Sequence, residues 1–379
     1  MKIKVCHIIT KLELGGAQKN TLYTVSNLDK EKFDVFLISG EGGILDDEAK
    51  KQSFKKYFLK NLVREISPLN DLLALIKIFK ILRKEKPDII HTHSSKAGII
   101  GRIAGFLSGV KIIIHTYHGF GFNDQQKYFV KKFYIFIEKL VSFITDHFIF
   151  VSYDNLETAK KYKIIRKNNY SIIRSGIKLS DFSKEKDYLF IEKYGFKKDG
   201  NTIISSVANL KPQKNPDDFV KVAEIVIKNI KNVIFFYCGG GEKLDYYRNI
   251  VKEKGLENNL IFTGWIKDVR EVYRSTDIFI LTSLWEGLPR SVVEAIKSGC
   301  VVVSYKSDGV SDVIKNEING FIVEKKDYKK MAEIIMKLIK EKDFFDKIKE
   351  NAIKTDLLDF DIDFMVRKQE DLYLKLVQI

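Results

Sequence analysis

Two successive series of short apolar runs, with an amphipathic helical stretch between each run and the next, constrain this 379-residue chain more than any other feature. The first series reads as strands at Ile3–Ile9, Phe33–Ile38, Asp88–His93, Val110–Thr116, His147–Val151 and Tyr170–Ile173. Helices are expected between them, near 17–28, 69–85, 95–107, 126–144 and 153–162. The second series restarts at Thr202–Val207 and runs through Val233–Cys238, Leu260–Thr263, Asp277–Leu281, Val301–Ser304 and Gly320–Val323. Its helices fall near 215–229, 242–254, 268–275, 289–298 and 327–339. Strands of this kind belong in parallel sheets covered on both faces by helices. The pattern predicts two doubly wound α/β domains, with the charged stretch Asp181–Asn201 as linker and a helical tail from about Phe344. Open parallel sheets bind ligands beyond the carboxyl ends of their strands, so two such domains facing each other would enclose a cleft.

Charge is distributed unevenly. The net charge is +15, and residues 1–180 hold 31 Lys and Arg against 17 Asp and Glu, leaving 34 against 33 for the remainder. A compositional bias of the source genome would load both halves alike. The asymmetry points to an anionic partner at the first half: a membrane surface, a phosphorylated substrate or nucleic acid. No motif for RNA or DNA binding accompanies it, so nucleic acid is not an expected partner. Two stretches fit an anionic membrane. Lys50, Lys51, Lys55, Lys56 and Lys60 mix with Phe54, Tyr57 and Phe58, and Lys127–Leu140 reads KYFVKKFYIFIEKL. Either would lie in an interface, or be a core helix with a solvated basic face. No apolar stretch reaches the roughly 20 residues of a spanning helix. The N-terminus lacks the pattern of a cleaved leader, and a cytoplasmic location on the inner face of a membrane is expected. Three cysteines without a Cys-x-x-Cys, each beside an apolar run, read as reduced buried thiols.

The segment WEGLPRSVVEAIKSG, Trp285–Gly299, follows the strand Asp277–Leu281. Pro289 suits the first helical position and Gly299 the C-terminal cap. Glu286 then sits in the loop at a sheet's carboxyl edge. The N–H groups of Leu288, Arg290 and Ser291 would face an anionic or hydroxylated ligand. Glu294, inside the helix, would accept two hydrogen bonds from a ribose cis-diol, or form an ordinary i,i+4 pair with Arg290. The first βα turn is ITKLELGGAQ, in which Gly15 and Gly16 open a helix. In SSVANLKPQKNPDDF, Lys211 and Lys214 lie where a diphosphate would meet the second sheet. CGGGEKL, Cys238–Leu244, is a glycine-rich turn after a strand.

In family order, LGGAQ, HTYHGFGF, LKPQKNP, GGGE, FTGW and EGLPRSVVEA span nearly the whole chain. On these motifs the chain resembles the GT-B glycosyltransferases, specifically the retaining enzymes of family 4 that build bacterial capsule, O-antigen or exopolysaccharide chains. The resemblance implies two Rossmann-like domains: an acceptor-binding domain over residues 1–182 and a nucleotide-sugar-binding domain over 200–355. A final helix, 356–379, would return to the first domain. It implies that Glu286 bonds donor-sugar hydroxyls, helped by the backbone of Gly287, Leu288, Pro289 and Arg290. Glu294 would hold the ribose and Lys214 the leaving diphosphate. Gly15, Gly16 and Gly240 would let backbone approach the donor, the backbone at Ile266 would meet the base, and His118 would sit at the reacting centre. Two positions depart from the family pattern. Asn209 replaces a frequent Arg, with Lys211 as the candidate substitute, and RSGIK (Arg174–Lys178) replaces a frequent Asn-Gly-Ile/Val-Asp.

The expected activity is transfer of a sugar from a nucleotide diphosphate donor, UDP in the first instance, to a lipid-linked glycan, with no cofactor and no metal. Asp359, Asp361 and Asp363 match an Asp-x-Asp metal motif but stand before a helix, where capping explains them. His91 and His93 share a strand face without the further Cys or acidic ligands that would complete a metal site. The alternatives are a nucleotide-sugar 2-epimerase on the same fold, or a non-catalytic basic binding protein.

Overall fold

Among residues 2–165 and 167–378, which the computed structural model describes, the strands form one seven-stranded and one six-stranded sheet, both wholly parallel. The first contains β1 (Ile3–Lys11), β2 (Phe33–Gly40), β3 (Lys55–Leu59), β4 (Ile89–His93), β5 (Ile112–Tyr117), β6 (His147–Phe150) and β7 (Tyr170–Ile172), in the order β3-β2-β1-β4-β5-β6-β7. The second contains β8 (Thr202–Val207), β9 (Val233–Cys238), β10 (Leu260–Gly264), β11 (Ile278–Leu281), β12 (Val301–Tyr305) and β13 (Phe321–Val323), in the order β10-β9-β8-β11-β12-β13. Each sheet winds one way from its first strand and then the other, so the order reverses where β1 meets β4 and where β8 meets β11. Diverging loops leave a crevice at such a switch point, which is where doubly wound sheets hold ligands.

The chain divides into two compact units, one made of the residues up to Gly176 with those from Asp359 onward, the other of Ile177–Leu358. In the first unit, Val5, Ile89, Ile114 and Ile149 pack against Ile362, Met365, Val366 and Tyr373 of the helix Ile362–Val377. The opposite face, with Cys6, Ile8, Phe36, Ile38 and Ile90, packs against Ala97, Ile100 and Ala104 of the helix Ser95–Ser108 and Ala74, Ile78 and Leu82 of the helix Pro68–Glu85. The second unit buries Ile204, Phe235, Tyr237, Ile280 and Val303 with Phe219, Val222 and Ala223 of the helix Pro216–Asn229. Cys6, Cys238 and Cys300 are buried free thiols in these cores.

Two segments differ from the expectation. Lys55–Leu59, read as an interfacial or core helix, is the edge strand β3. Its lysines are held by the protein: Lys55 pairs with Glu85 at 2.7 Å, and Lys56 donates to the carbonyls of Ala49 and Gln52 at 2.9 and 2.6 Å. Five residues are too few to show a period against a basic background, and lysine is a common guard of sheet edges. Within the charged stretch expected as a linker, Tyr188, Phe190, Ile191, Tyr194 and Phe196 pack on Ile203, Ile234 and Phe236 of the second sheet.

Candidate functional site

Of the expected donor-binding residues of the second unit, those after β8 and β11 lie at the β8/β11 switch point, while Gly240 follows β9 and Ile266 follows β10. After β8 the chain makes a single 3-10 turn, Pro212–Lys214, and Asn215 takes a left-handed backbone (φ 49°) before the helix Pro216–Asn229. A non-glycine residue there costs energy and persists only where the surroundings enforce it. They do: the hydroxyl of Thr282 donates to the carbonyls of Lys214 and Asn215 at 2.9 and 3.0 Å. Gln213 donates through Nε2 to the carbonyl of Trp285 at 2.8 Å and accepts from the backbone N–H of Leu284 at 2.9 Å. The loop after β8 is thereby stitched to the loop after β11. As a result the Lys214 ammonium forms a hydrogen-bonded ion pair with Oε1 of Glu286, the two side chains 19% and 9% exposed. An ammonium carries three donors, so one bond to Glu286 leaves two for another anion.

The helix after Glu286 runs Arg290–Lys297. Pro289 takes the N-cap, one position earlier than expected, with ψ 92°. Gly287, Leu288 and Pro289 are buried at this helix start. At the far end Gly299 has φ 72°, its N–H bonds the carbonyl of Ile296 at 2.9 Å, and that of Cys300 bonds Ala295 at 3.0 Å. This is a Schellman stop, which glycine fills without a Cβ penalty. Glu294 accepts from the Tyr273 hydroxyl at 2.8 Å, while Arg290 is a loose 4.0 Å away. The ordinary i,i+4 pair is thus the weaker contact. Tyr273, buried on the helix Val269–Ser275, is a partner that sequence reasoning missed, because only the fold brings it beside Glu294.

The glycine turn after β9 crosses under the β8 loop: the N–H of Leu210 bonds the carbonyl of Gly240 at 3.0 Å. A Cβ on Gly240 would come within 2.6 Å of the Trp265 ring, so the indole packs directly over this glycine and would have to move for any larger residue. Asn209 accepts through its carbonyl from the Tyr237 hydroxyl at 3.2 Å, and its side-chain oxygen is buried with no protein partner. Lys211 is exposed at the same turn. Trp265 is largely exposed, and Ile266 packs at the edge of the Phe236 cluster, so backbone rather than side chain is what Ile266 can offer a ligand.

In the first unit, the β1/β4 switch point is shaped by Ser94, which has φ 62°. Its hydroxyl meets Thr10 Oγ1 at 2.7 Å, and Thr10 Oγ1 accepts from the N–H of Ala97 at 3.1 Å. Gly15, in extended backbone, is the N-cap of the helix Gly16–Asn27. His118 follows β5, and its Nε2 lies 3.1 Å from His93 Nδ1. His93 Nε2 lies 3.0 Å from His7 Nδ1, and His7 Nε2 lies 3.3 Å from the Tyr373 hydroxyl. That hydroxyl is 2.5 Å from His91 Nδ1, and His91 Nε2 is 2.6 Å from Thr116 Oγ1. His7, His91 and His93 lie close enough to share a metal ion. All six of their ring nitrogens, however, are already in hydrogen bonds. Burial keeps these rings neutral, holding His7 down to about 3 and His118 to about 4 and pushing His91 and His93 well below the usual imidazole range.

The carboxylates near residue 360 are engaged structurally. Asp361 caps the helix Ile362–Val377 by accepting from the N–H groups of Asp363 and Phe364 at 3.0 and 3.1 Å. Asp359 pairs with Lys368 at 2.7 Å, and Asp363 accepts from the Tyr23 hydroxyl at 2.5 Å.

Comparison with known proteins identifies the family. Residues 14–181 match the profile of Glycosyltransferase Family 4, and residues 189–355 that of Glycosyl transferases group 1. The chain is 33% identical to the UDP-Gal:alpha-D-GlcNAc-diphosphoundecaprenol alpha-1,3-galactosyltransferase of Escherichia coli, over 99% of this chain and 98% of that one. It is 26% identical to the capsular polysaccharide biosynthesis glycosyltransferase CapM of Staphylococcus aureus, over 93% and 91% of the two chains. Anabaena HepE, solved in complex with UDP, shares the fold with a TM-score of 0.82 at 17% identity, covering 98% of this chain and 100% of its own. The chain belongs to the group 1 and family 4 glycosyltransferases, with two parallel α/β domains of GT-B type.

Proposed function

We propose that this glycosyltransferase moves a hexose from a UDP-linked donor to a sugar carried on a lipid diphosphate, with retention of anomeric configuration, during synthesis of a bacterial surface polysaccharide. The observation that carries the donor half is the Lys214–Glu286 ion pair at the β8/β11 switch point, beside the Arg290–Lys297 helix start. The Escherichia coli relative, which acts on UDP-galactose and a diphosphoundecaprenol-linked GlcNAc, supports the rest.

Breaking the anomeric C–O bond leaves positive charge on the sugar ring and negative charge on the departing diphosphate. In this reading the free donors of Lys214, the exposed Lys211 and the N–H groups of the helix start meet the diphosphate where charge develops. Glu286 orients the sugar through its hydroxyls, and Glu294, itself oriented by Tyr273, takes the ribose. His118 stands at the reacting centre. Fixed cations of this kind supply the neutralisation that a divalent ion supplies elsewhere, and no metal is invoked.

Among the described residues no helix is long and apolar enough to cross a membrane. A lipid-linked acceptor therefore calls for surface contact, and the helix Tyr128–Ser142 supports it. Phe129, Phe133, Phe136 and Leu140, with Phe143 just beyond, repeat on one helical stripe and are all exposed, Phe129 by 82%. Lys127 and Lys132 are exposed on the same helix and its cap. Outward aromatics flanked by lysines suit the interface of an anionic membrane on its inner face.

The test is a panel of radiolabelled UDP-sugars with a lipid-diphosphate-linked monosaccharide acceptor, reading label carried into the organic phase. One UDP-hexose should give a lipid-linked disaccharide. No transfer from any UDP-sugar, or preference for a water-soluble acceptor, would refute the reading.

A further inference from the structure

The Tyr273 hydroxyl reaches Glu294 only if two short helices end in register with each other, and one side chain holds both ends. Within the second unit, the Lys186 ammonium donates to the carbonyls of Tyr273 at 3.3 Å and Thr276 at 2.5 Å, at the end of the helix Val269–Ser275. It also donates at 3.4 Å to the carbonyl of Ser298, the C-cap of the helix Arg290–Lys297. The last carbonyls of a helix have no partner within it, and a lysine can supply one. Three carbonyls use all three ammonium donors. Lys186 is thus spent on the ends of two helices, with no donor left for a ligand.

The residues around Lys186 brace the same place. The ring of Phe182 packs edge-on against the ring of Tyr273, centroids 5.9 Å apart. The carbonyl of Asp187 accepts from the Ser275 hydroxyl at 2.7 Å, and the N–H of Asp187 donates to the carbonyl of Arg274 at 3.3 Å. Lys184 donates to the carbonyl of Ile353 at 3.2 Å. Residues 182–187 therefore form a strap across these helix ends. Among the described residues, the bond from Tyr273 to Glu294 is the one hydrogen bond that runs directly between the two helices. Both of its members stand close to the clamp. Tyr273 lies in the last turn of its helix, and Glu294 lies one turn before Ser298, whose N–H bonds the Glu294 carbonyl at 3.0 Å. Fixing the main chain at Tyr273 and Ser298 fixes how far the phenol stands from the carboxylate.

We propose that Lys186 is a positioning residue for donor binding: by clamping the ends of the two helices it holds the Tyr273 hydroxyl on Glu294, and so sets the affinity for the nucleotide. The last step, from Glu294 to a ribose, rests on the function proposed above; the link from Lys186 to the Tyr273–Glu294 bond does not.

Two measurements on the full chain test the two links separately. The first reads the bond without a ligand. Carbon-13 spectra of protein labelled at its glutamate carboxylates contain a Glu294 resonance, assigned by Glu294→Gln, and Tyr273→Phe marks where it falls without the phenol. Lys186→Met keeps the length of the side chain but removes its charge and donors, and should move the resonance toward that position. A resonance that stays put overturns the proposal. If Lys186→Met does not fold, Phe182→Leu gives the reading: a smaller shift in the same direction is expected, and no shift overturns the proposal. The second measurement is isothermal titration with UDP. Lys186→Met and Tyr273→Phe should each weaken UDP about tenfold, and the double variant also about tenfold rather than about a hundredfold, since both changes remove the same contact. A fully additive loss overturns positioning through Tyr273. If the resonance moves as stated while UDP affinity is unchanged in both single variants, the clamp stands, and its effect on the nucleotide is overturned together with the ribose reading of Glu294.

Discussion

Lys214 and Glu286, 72 residues apart in sequence, meet as a hydrogen-bonded ion pair because Thr282 and Gln213 tie their two loops together. One short pair thereby joins the carboxyl ends of β8 and β11. Charge is needed on both members in the proposed reaction, one facing diphosphate and the other facing sugar.

Glu286→Gln keeps the size and one acceptor but removes the charge. Transfer should fall by about a hundred- to a thousandfold, the scale for loss of a single oriented electrostatic contact. Circular dichroism should stay unchanged. Lys214→Met should fall similarly in kcat. Full activity in either variant would remove the assigned role.

Tyr273→Phe deletes only the hydroxyl that bonds Glu294 at 2.8 Å. Donor KM should rise while kcat changes little, since a ribose contact is made equally in the ground and transition states. Isothermal titration with UDP should show weakening of about tenfold, comparable to one hydrogen bond to a charged group. An unchanged affinity for UDP would place Glu294 outside the nucleotide site.

Acid should destabilise the first unit. His7 is held down to about 3, and His118 and His147 to about 4, by burial. The unfolded chain takes up protons on these residues near the ordinary value of about 6.5. Their contribution is therefore complete above pH 6.5 and is lost as pH falls from there toward 4 and then 3. Each buried neutral histidine steepens the loss by up to about 1.4 kcal/mol per pH unit. Urea midpoints at pH 7.5 and pH 5 measure it, and a flat profile would contradict neutral burial.

Replacing Phe129, Phe133 and Phe136 together by Ser should abolish flotation with anionic liposomes and leave the melting temperature within a few degrees, because these side chains touch little protein. The same helix is pinned from behind by Glu138, which bonds Arg102 at 2.8 Å and the Tyr117 hydroxyl at 2.6 Å. Glu138→Leu leaves Arg102 buried and unpaired and should cost about 3–5 kcal/mol. Liposome binding that survives the triple change would move the membrane face elsewhere.

Chelation by EDTA should leave transfer largely intact, since the proposed donor site offers fixed cations and Asp359, Asp361 and Asp363 are each engaged within the first unit. Loss of activity restored by Mn²⁺ would overturn the metal-free mechanism.

Much of the proposed donor site is legible in the chain because its residues are local to loops with strong turn chemistry. Gly240, Pro289 and Gly299 mark the turns, and Lys214 and Glu286 stand beside them. What stayed hidden depends on register and long-range packing. Tyr273 reaches Glu294 only once two helices are placed. The alignment of His7 with His91 across β1 and β4 is a pairing that no spacing encodes. β3 was obscured because five residues with two lysines show no periodicity. Tyr188, Phe190 and Ile191 were masked by the charges around them, although the second sheet buries the latter two almost completely.

The helix Ile362–Val377 covers Val5, Ile89, Ile114 and Ile149, yet it leaves the ribosome only after every residue of Ile177–Leu358 has been made. The earlier half of the chain must therefore wait, with an oily flank bare and its imidazoles wet, until translation reaches its lid. A gene fragment stopping at Gly176 would yield sticky, aggregation-prone material.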